Sequence, residues 1–244
     1  MLVFFYINIV WFLAGIVNGV TSFGGNLFAV PLMTLVMEAR EAIIFGCITG
    51  TAITMSIAVF HHRDLPKPEF LLACLGHAAG IPVGMIILEM APAKLIFFAA
   101  SAILLLFLVW QGVSGHMRKA FRAPLWAVVP VGVISGILFG STSMGGPILA
   151  MYAVLRGWNK EITISMLSTM AAVSMLFLTI LQWSNGLYTP QMLHDAAWAV
   201  PCAILGVLVS IPIIRRINPD IFRKLVLLML AFSSAMLFAR GWQA

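Results

Sequence analysis

Two stretches of the chain carry residues suited to holding a small anion. Gly15-Ile16-Val17-Asn18-Gly19-Val20-Thr21-Ser22-Phe23-Gly24-Gly25 aligns with Gly136-Ile137-Leu138-Phe139-Gly140-Ser141-Thr142-Ser143-Met144-Gly145-Gly146 at an offset of 121 residues, half the chain. Each stretch breaks a long apolar run with small and polar residues. Irregular backbone at membrane depth is costly unless it lines a polar cavity or is buried in protein. Two such breaks at matching positions therefore point to a binding site. Gly24, Gly25, Gly145 and Gly146 let the backbone approach a ligand closely and take φ > 0. Thr21, Ser22, Asn26, Thr142 and Ser143 supply neutral hydrogen-bond donors, and Asn18 lies one helical turn before the first break. Each break is followed by the N-terminus of a short helix, with unpaired N–H groups and a partial positive charge that favour an anion. Pro147 suits a first helical position. No acidic residue stands near either break, whereas a cation site wants carboxylates. Close-packing glycines with capping hydroxyls explain one break as well as a site does, but explain two matched breaks less well.

The elements that must position these breaks are apolar. The chain has 244 residues, 62% hydrophobic and 9% charged, where a soluble domain carries about 25% charged. It therefore reads as an all-α integral membrane protein. Each half contains four apolar elements: Met1–Met37, Ala42–Phe60, Glu69–Leu88 and Ala93–Gln111, then Leu125–Leu155, Ile162–Trp183, Gln191–Ile214 and Ile221–Phe238. Ala91-Pro92 matches Asn218-Pro219, each opening the last run of its half. The chain divides into a first repeat, 1–113, a basic linker, 114–123, and a second repeat, 124–244.

The first element of each half is too long for one span and short for two. As one helix, Met1–Met37 would measure about 55 Å against about 30 Å of hydrocarbon. The arm Asn26–Met37 would reach only about 18 Å, and Pro147–Arg156 is shorter still. A re-entrant or broken hairpin fits both. With that arrangement one side holds Arg63, Lys67, Arg118, Lys119, Arg122, Arg156, Lys160, Arg215, Arg216, Arg223 and Lys224, and the other holds Arg40, Lys94 and Arg240. The bias marks the first side as cytoplasmic. It predicts six full spans and two hairpins, both termini outside, and two inverted repeats, each a hairpin followed by three transmembrane helices. An arrangement in which the first elements cross, giving eight spans, mixes the charges.

The net charge of +6 lies mostly in short loops, where it orients the chain, and no basic tail is present for nucleic acid. Cys47, Cys74 and Cys202 fall inside apolar runs with no metal or disulfide spacing. The first run lacks the basic start of a secretory signal. His77 stands alone as an ionisable residue well inside a run, which makes it a proton-coupling candidate. It flanks Gly76, Gly80 and Gly84, a small-residue face for helix packing, so a satisfied packing histidine fits equally; Gly132, Gly136 and Gly140 make a similar face. Thr49, Thr51, Thr54, Ser168, Thr169 and Ser174 are candidates to line a path. Trp110, Trp126, Trp158 and Trp183 sit near run ends, as an interfacial belt requires.

With its duplicated Gly-rich signature, its length and its two-half layout, the whole chain resembles the sulfite exporter TauE/SafE family, also called the toluene-sulfonate uptake permease family. The resemblance implies a secondary transporter of a sulfur-containing anion such as sulfite, sulfoacetate or another organosulfonate, often outward, in a bacterial inner membrane. The substrate would sit between the two tips while the halves rock around it. Pro147 replaces Asn26 at the second tip, so the two tips need not contribute alike. Partners would be the small anion and the lipid bilayer, with protons or the membrane potential as driving force and a homo-oligomer left open; no cofactor and no metal is called for.

Two other readings share these features. An anion channel would use the same tips as a filter, and a structural membrane subunit would not need two polar breaks at matched depth. An enzyme is disfavoured: no paired histidines at helical spacing accompany a Glu, and Val20 stands where a nucleophile elbow around Ser22 needs Gly. His61 and His62 lie in a basic loop.

Overall fold

The structure, a computed structural model, describes residues 1–61, 64–117 and 123–216, and beyond these only 228, 231, 234–239, 241 and 242. Arg63, Arg118, Lys119, Arg122, Arg223, Lys224, His62, Asn218-Pro219 and most of the run Ile221–Phe238 lie outside the described residues.

Every described element is helical: α1 Leu2–Thr21, α2 Gly25–Met33, α3 Ala39–His61, α4 Lys67–Met90, α5 Ala93–Met117, α6 Val128–Thr142, α7 Gly146–Arg156, α8 Lys160–Ser184 and α9 Pro190–Arg216, with a 3-10 turn Leu125–Ala127 leading into α6. Local chemistry sets several ends. Pro66 precedes α4 and Pro68 sits in its first turn, where a missing N–H costs nothing. Asn159 caps α8 by accepting from Ile162 N at 2.9 Å. Gly157, with φ 72°, ends α7.

Six helical segments are long and apolar enough to cross a membrane: α1, Ala39–Val59 of α3, α4, Leu125–Thr142, α8 and Pro190–Pro212 of α9. The outward faces fit that role. Leu71 and Leu75 of α4, Val109 of α5, Ile180 of α8 and Leu205 of α9 are all more than half exposed, an apolar exterior that suits lipid and not water. The sequence expectation differs in three respects. It treats the first arms as hairpin limbs, whereas α1 by itself, 20 residues and about 30 Å, is as long as a span. The return limbs are the short ones. α2 has 9 residues and α7 has 11, about 14 and 17 Å, so α7 is the longer of the two and not the shorter. α5 also runs past Gln111 to Met117, into the segment read as a linker.

Each first element folds back on itself. Ala123 N donates to Leu155 O at 3.1 Å and Arg156 Nη1 donates to Ala123 O at 3.0 Å, closing the base of the second hairpin. In the first, Tyr6 OH donates to Leu32 O at 2.9 Å.

The halves interlock by exchanging partners. α4 of the first half packs along α6 of the second through the two glycine faces. A Cβ on Gly76 would stand 2.6 Å from Val129 O, and one on Gly136 would stand 2.9 Å from His77 Cα. Positions rise together along both helices, with Gly80 against Gly136 and Gly84 against Gly140, so the pair is parallel. α1 pairs with α9 in the same way and sense, Gly15 and Gly19 facing Ala203, Val207 and Ser210, and Gly206 facing Phe12. α3 and α8 run antiparallel. Thr51 Oγ1 lies 3.0 Å from Thr179 Oγ1, and Gln182 Nε2 donates to Cys47 Sγ at 3.4 Å. Small residues let these backbones approach closely, which is how helices gain packing energy where no hydrophobic drive separates them from lipid.

Candidate functional site: the paired hairpin tips

α1 and α6 both end on a serine in the left-handed region, Ser22 with φ 68° and Ser143 with φ 56°. Among the described residues these two are the non-glycine residues with positive φ. The expectation that the tip glycines take up positive φ is therefore corrected. Gly24 and Gly145 have φ −87° and −73°, and Gly25 and Gly146 open helices. Glycine is needed there for space. A Cβ on Gly24 would meet Thr21 Oγ1 at 2.5 Å, one on Gly25 would meet Asn18 Cβ at 2.9 Å, and one on Gly146 would meet Phe23 Cβ at 2.7 Å; one on Gly145 would strike Ser135 O and the Phe139 ring.

The first tip satisfies its own backbone. Asn18 Oδ1 accepts from Gly25 N at 2.9 Å, and Thr21 Oγ1 accepts from Gly24 N at 2.8 Å while donating to Val17 O. Asn26 Nδ2 donates to Gly46 O at 3.0 Å, tying α2 to α3, and a Cβ on Gly50 would crowd Asn26 Oδ1. At the second tip Phe139 occupies the position of Asn18, so this cap is not repeated. Thr142 Oγ1 donates back to Leu138 O at 2.8 Å, and the Gly145 carbonyl accepts from Ser135 Oγ at 2.8 Å.

The tips of the two halves meet around one cavity. Asn18, Gly25 and Asn26 reach it from the first half, Ser143 and Gly146 from the second, and Thr54 of α3 completes the polar lining. Phe23, Gly50, Ile53, Phe139, Ala171 and Met175 line the rest, so no charged side chain among the described residues borders it. Asn18 Nδ2 and Ser143 Oγ are buried and without a hydrogen-bond partner. The cavity has room for roughly one water molecule. The site is tightly closed.

The sequence model of the family described as Sulfite exporter TauE/SafE matches residues 7–237. The chain belongs to the TauE/SafE sulfite exporter family. No curated protein matches it. Membership makes this chain, with its apolar helices, a multi-pass membrane transport protein of a family associated with sulfite and related sulfur anions.

Of the residues singled out in this TauE/SafE chain, Asn18, Gly25, Asn26, Ser143 and Gly146 line the cavity. Thr21, Ser22, Gly24, Thr142 and Gly145 stand behind it and shape the tips. Their roles are internal: Thr21 and Thr142 spend their hydroxyls on backbone carbonyls. Thr54 lines the cavity, but Thr49 and Ser168 donate to carbonyls of their own helices and Thr51 pairs with Thr179. Thr169 Oγ1 and Ser174 Oγ are buried without partners.

His77 is buried, 2% exposed, and is not at the cavity. Its ring lies 5.7 Å from that of Phe139, a residue that lines the cavity. Nδ1 is 2.9 Å from Ala73 O and Nε2 is 3.1 Å from Ser135 Oγ. Ser135 has no distinguishing sequence signal beyond its place on the Gly132–Gly136 face, and it was not anticipated. Nor was Glu69, whose Oε1 accepts from Arg156 Nη2 at 3.0 Å. This ion pair ties α4 to the base of the second hairpin, so Arg156 does more than orient a loop.

Proposed function

We propose that the chain is a secondary transporter that carries a sulfur-containing anion (sulfite, sulfoacetate or another organosulfonate) outward across the bacterial inner membrane, holding it between the two tips. One observation carries this reading: hairpin tips from both halves line one neutral cavity, and two of the residues lining it, Asn18 and Ser143, carry buried donors without a partner. A buried donor without a partner costs about 1–3 kcal/mol. An anion accepting from Asn18 Nδ2, Ser143 Oγ and the N–H groups at the start of α7 removes that cost and gains the field of the helix terminus. A divalent cation would find no carboxylate there.

The helix directions support inverted repeats, 1–113 and 124–244, joined by the linker 114–123. α3 and α8 are repeat equivalents, and they run antiparallel. The five residues Asn185–Thr189 reach at most about 18 Å, too little to recross the hydrocarbon, so α9 runs opposite to α8. α1 runs with α9, hence also with α3. The chain must return to its starting side between α1 and α3, which is the task of α2. The closed hairpin bases fit the same scheme. It approaches the two tips from opposite sides.

The cavity is too small for a sulfur oxyanion, so the tips separate when substrate enters. Phe23 beside Gly146 and Phe139 beside Gly145 are the apolar closures. An inside-negative potential expels an anion, worth about 2.3 kcal/mol per charge per 100 mV, and a proton through His77 is the other candidate force.

The test is exchange of radiolabelled sulfite in proteoliposomes. Saturable exchange accelerated by unlabelled sulfite on the far side, without unitary currents in a planar bilayer, is the expected result. Unitary anion currents would instead make the tips a channel filter.

A further inference from the structure

His77, Ser135 and Gly145 form a hydrogen-bonded chain with one hydrogen too few. It starts on α4 of the first half and ends on the backbone of the second tip. Three contacts need three hydrogens: Nδ1 to Ala73 O, Nε2 to Ser135 Oγ, and Ser135 Oγ to Gly145 O. A neutral imidazole has one N–H. The carbonyl of Ala73 can only accept, so that hydrogen sits on Nδ1. Ser135 then has a single hydrogen for two acceptors, Nε2 and the Gly145 carbonyl, and satisfies one at the other's expense. When Nε2 takes up a proton from water, it donates to Ser135 Oγ, and the hydroxyl hydrogen is left to Gly145 O alone. All three contacts are then made.

We propose that Ser135 is a positioning residue that couples protonation of His77 to the second hairpin tip, pinning Gly145 when the imidazole is charged and releasing it when it is neutral. The surroundings make His77 the group that titrates. α6 contains no titratable residue, and α8 has none after Glu161. On α4 itself Cys74 turns its thiol to Met170 Sδ, and Glu69 is held by Arg156. Cys47 of α3 shares a core with Ile81 and Met85 of α4 and is held by Gln182. The first tip has no such link: Asn18 and Thr21 hold it. Protonation therefore acts on one tip only, so the two halves release their hold on the substrate unequally. This rests on the proposal that the tips form the transport site, which sulfite exchange tests separately.

The experiment measures maleimide labelling of a single cysteine in the full-length protein in liposomes, after Cys47→Ala, Cys74→Ala and Cys202→Ala. Met144→Cys reports the second tip and Phe23→Cys the first. Their ratio cancels the reagent's own pH dependence. As the pH is lowered from about 8 to about 3.5, a span wide enough to include a histidine held in an apolar interior, the ratio should fall several-fold with His77 and Ser135 intact. Ser135→Thr, which keeps the hydroxyl, should preserve the fall, and Ser135→Ala and His77→Gln should abolish it. A ratio that ignores pH in the parent, or that falls equally in Ser135→Ala, overturns the proposal. Should His77→Gln fail to fold, the Ser135 pair decides alone.

Discussion

Ser22 and Ser143, 121 positions apart, adopt the same left-handed backbone at the ends of α1 and α6. Left-handed backbone costs a residue with a Cβ about 1–2 kcal/mol, so both tips store strain at the point where the chain reverses. Only Ser143 borders the cavity. Ser22→Gly should leave anion binding intact and shift stability by no more than about 1 kcal/mol, toward stabilisation. Ser143→Gly should be equally well folded and lose most of its binding. Melting temperature and sulfite titration on the two variants separate the roles.

Asn18 makes two contributions with two atoms. Its Oδ1 caps Gly25 N, and its Nδ2 is buried without a partner in a residue that lines the cavity. Asn18→Asp keeps the acceptor and places negative charge where the donor was, so the protein should fold and anion binding should fall below detection. Asn18→Ala loses the cap as well, with about 0.5–2 kcal/mol less stability. Thermal melts with and without sulfite distinguish the two outcomes.

The glycine seam between α4 and α6 should tolerate no added methyl. A Cβ on Gly80 would strike Val133 O, which is backbone and cannot swing away. Gly80→Ala should cost about 1–3 kcal/mol, read as lower melting temperature and earlier loss of monodisperse protein in detergent. Gly157→Ala, at a surface turn with open space but φ 72°, should cost about 1 kcal/mol for a different reason, its backbone.

Glu69 and Arg156 hold the second hairpin to α4. Removing one partner strands a partly buried charge, so Arg156→Ala should destabilise by about 1–3 kcal/mol, below the fully buried case because the guanidinium is partly solvated. Glu69→Gln with Arg156→Gln together should cost less than the two singles summed. Melting curves for the four proteins of that cycle give the coupling directly.

Much of this architecture is legible in the residues. Gly24-Gly25 and Gly145-Gly146, repeated at half the chain length, mark both breaks, and the glycine faces of Gly76–Gly84 and Gly132–Gly140 turn out to face each other. Three things are hidden for physical reasons. Positive φ falls on serine because the crowded space next to Thr21, Asn18 and Phe23 claims the glycines. Part of the cavity wall comes from Ile53, Ala171 and Met175, apolar residues that look like any other on a membrane helix. The tips differ because Asn18 is matched by Phe139 and Asn26 by Pro147, and only the geometry shows what the missing caps leave open. Gln182 and Tyr188 are a further case. Tyr188 OH donates to Gln182 Oε1 at 2.7 Å, and burial pushes that phenol well above its ordinary range, keeping it a neutral donor.

The measurement that bears most directly on the central claim is sulfite binding to the purified protein by thermal shift, with sulfoacetate, thiosulfate and sulfate alongside, on the parent chain and on Ser143→Ala. Stabilisation of the parent by one sulfur anion, lost in Ser143→Ala while the ligand-free melting temperature is unchanged, is the predicted result. Equal stabilisation of both proteins, or of neither by any sulfur anion, would contradict a substrate site between the tips.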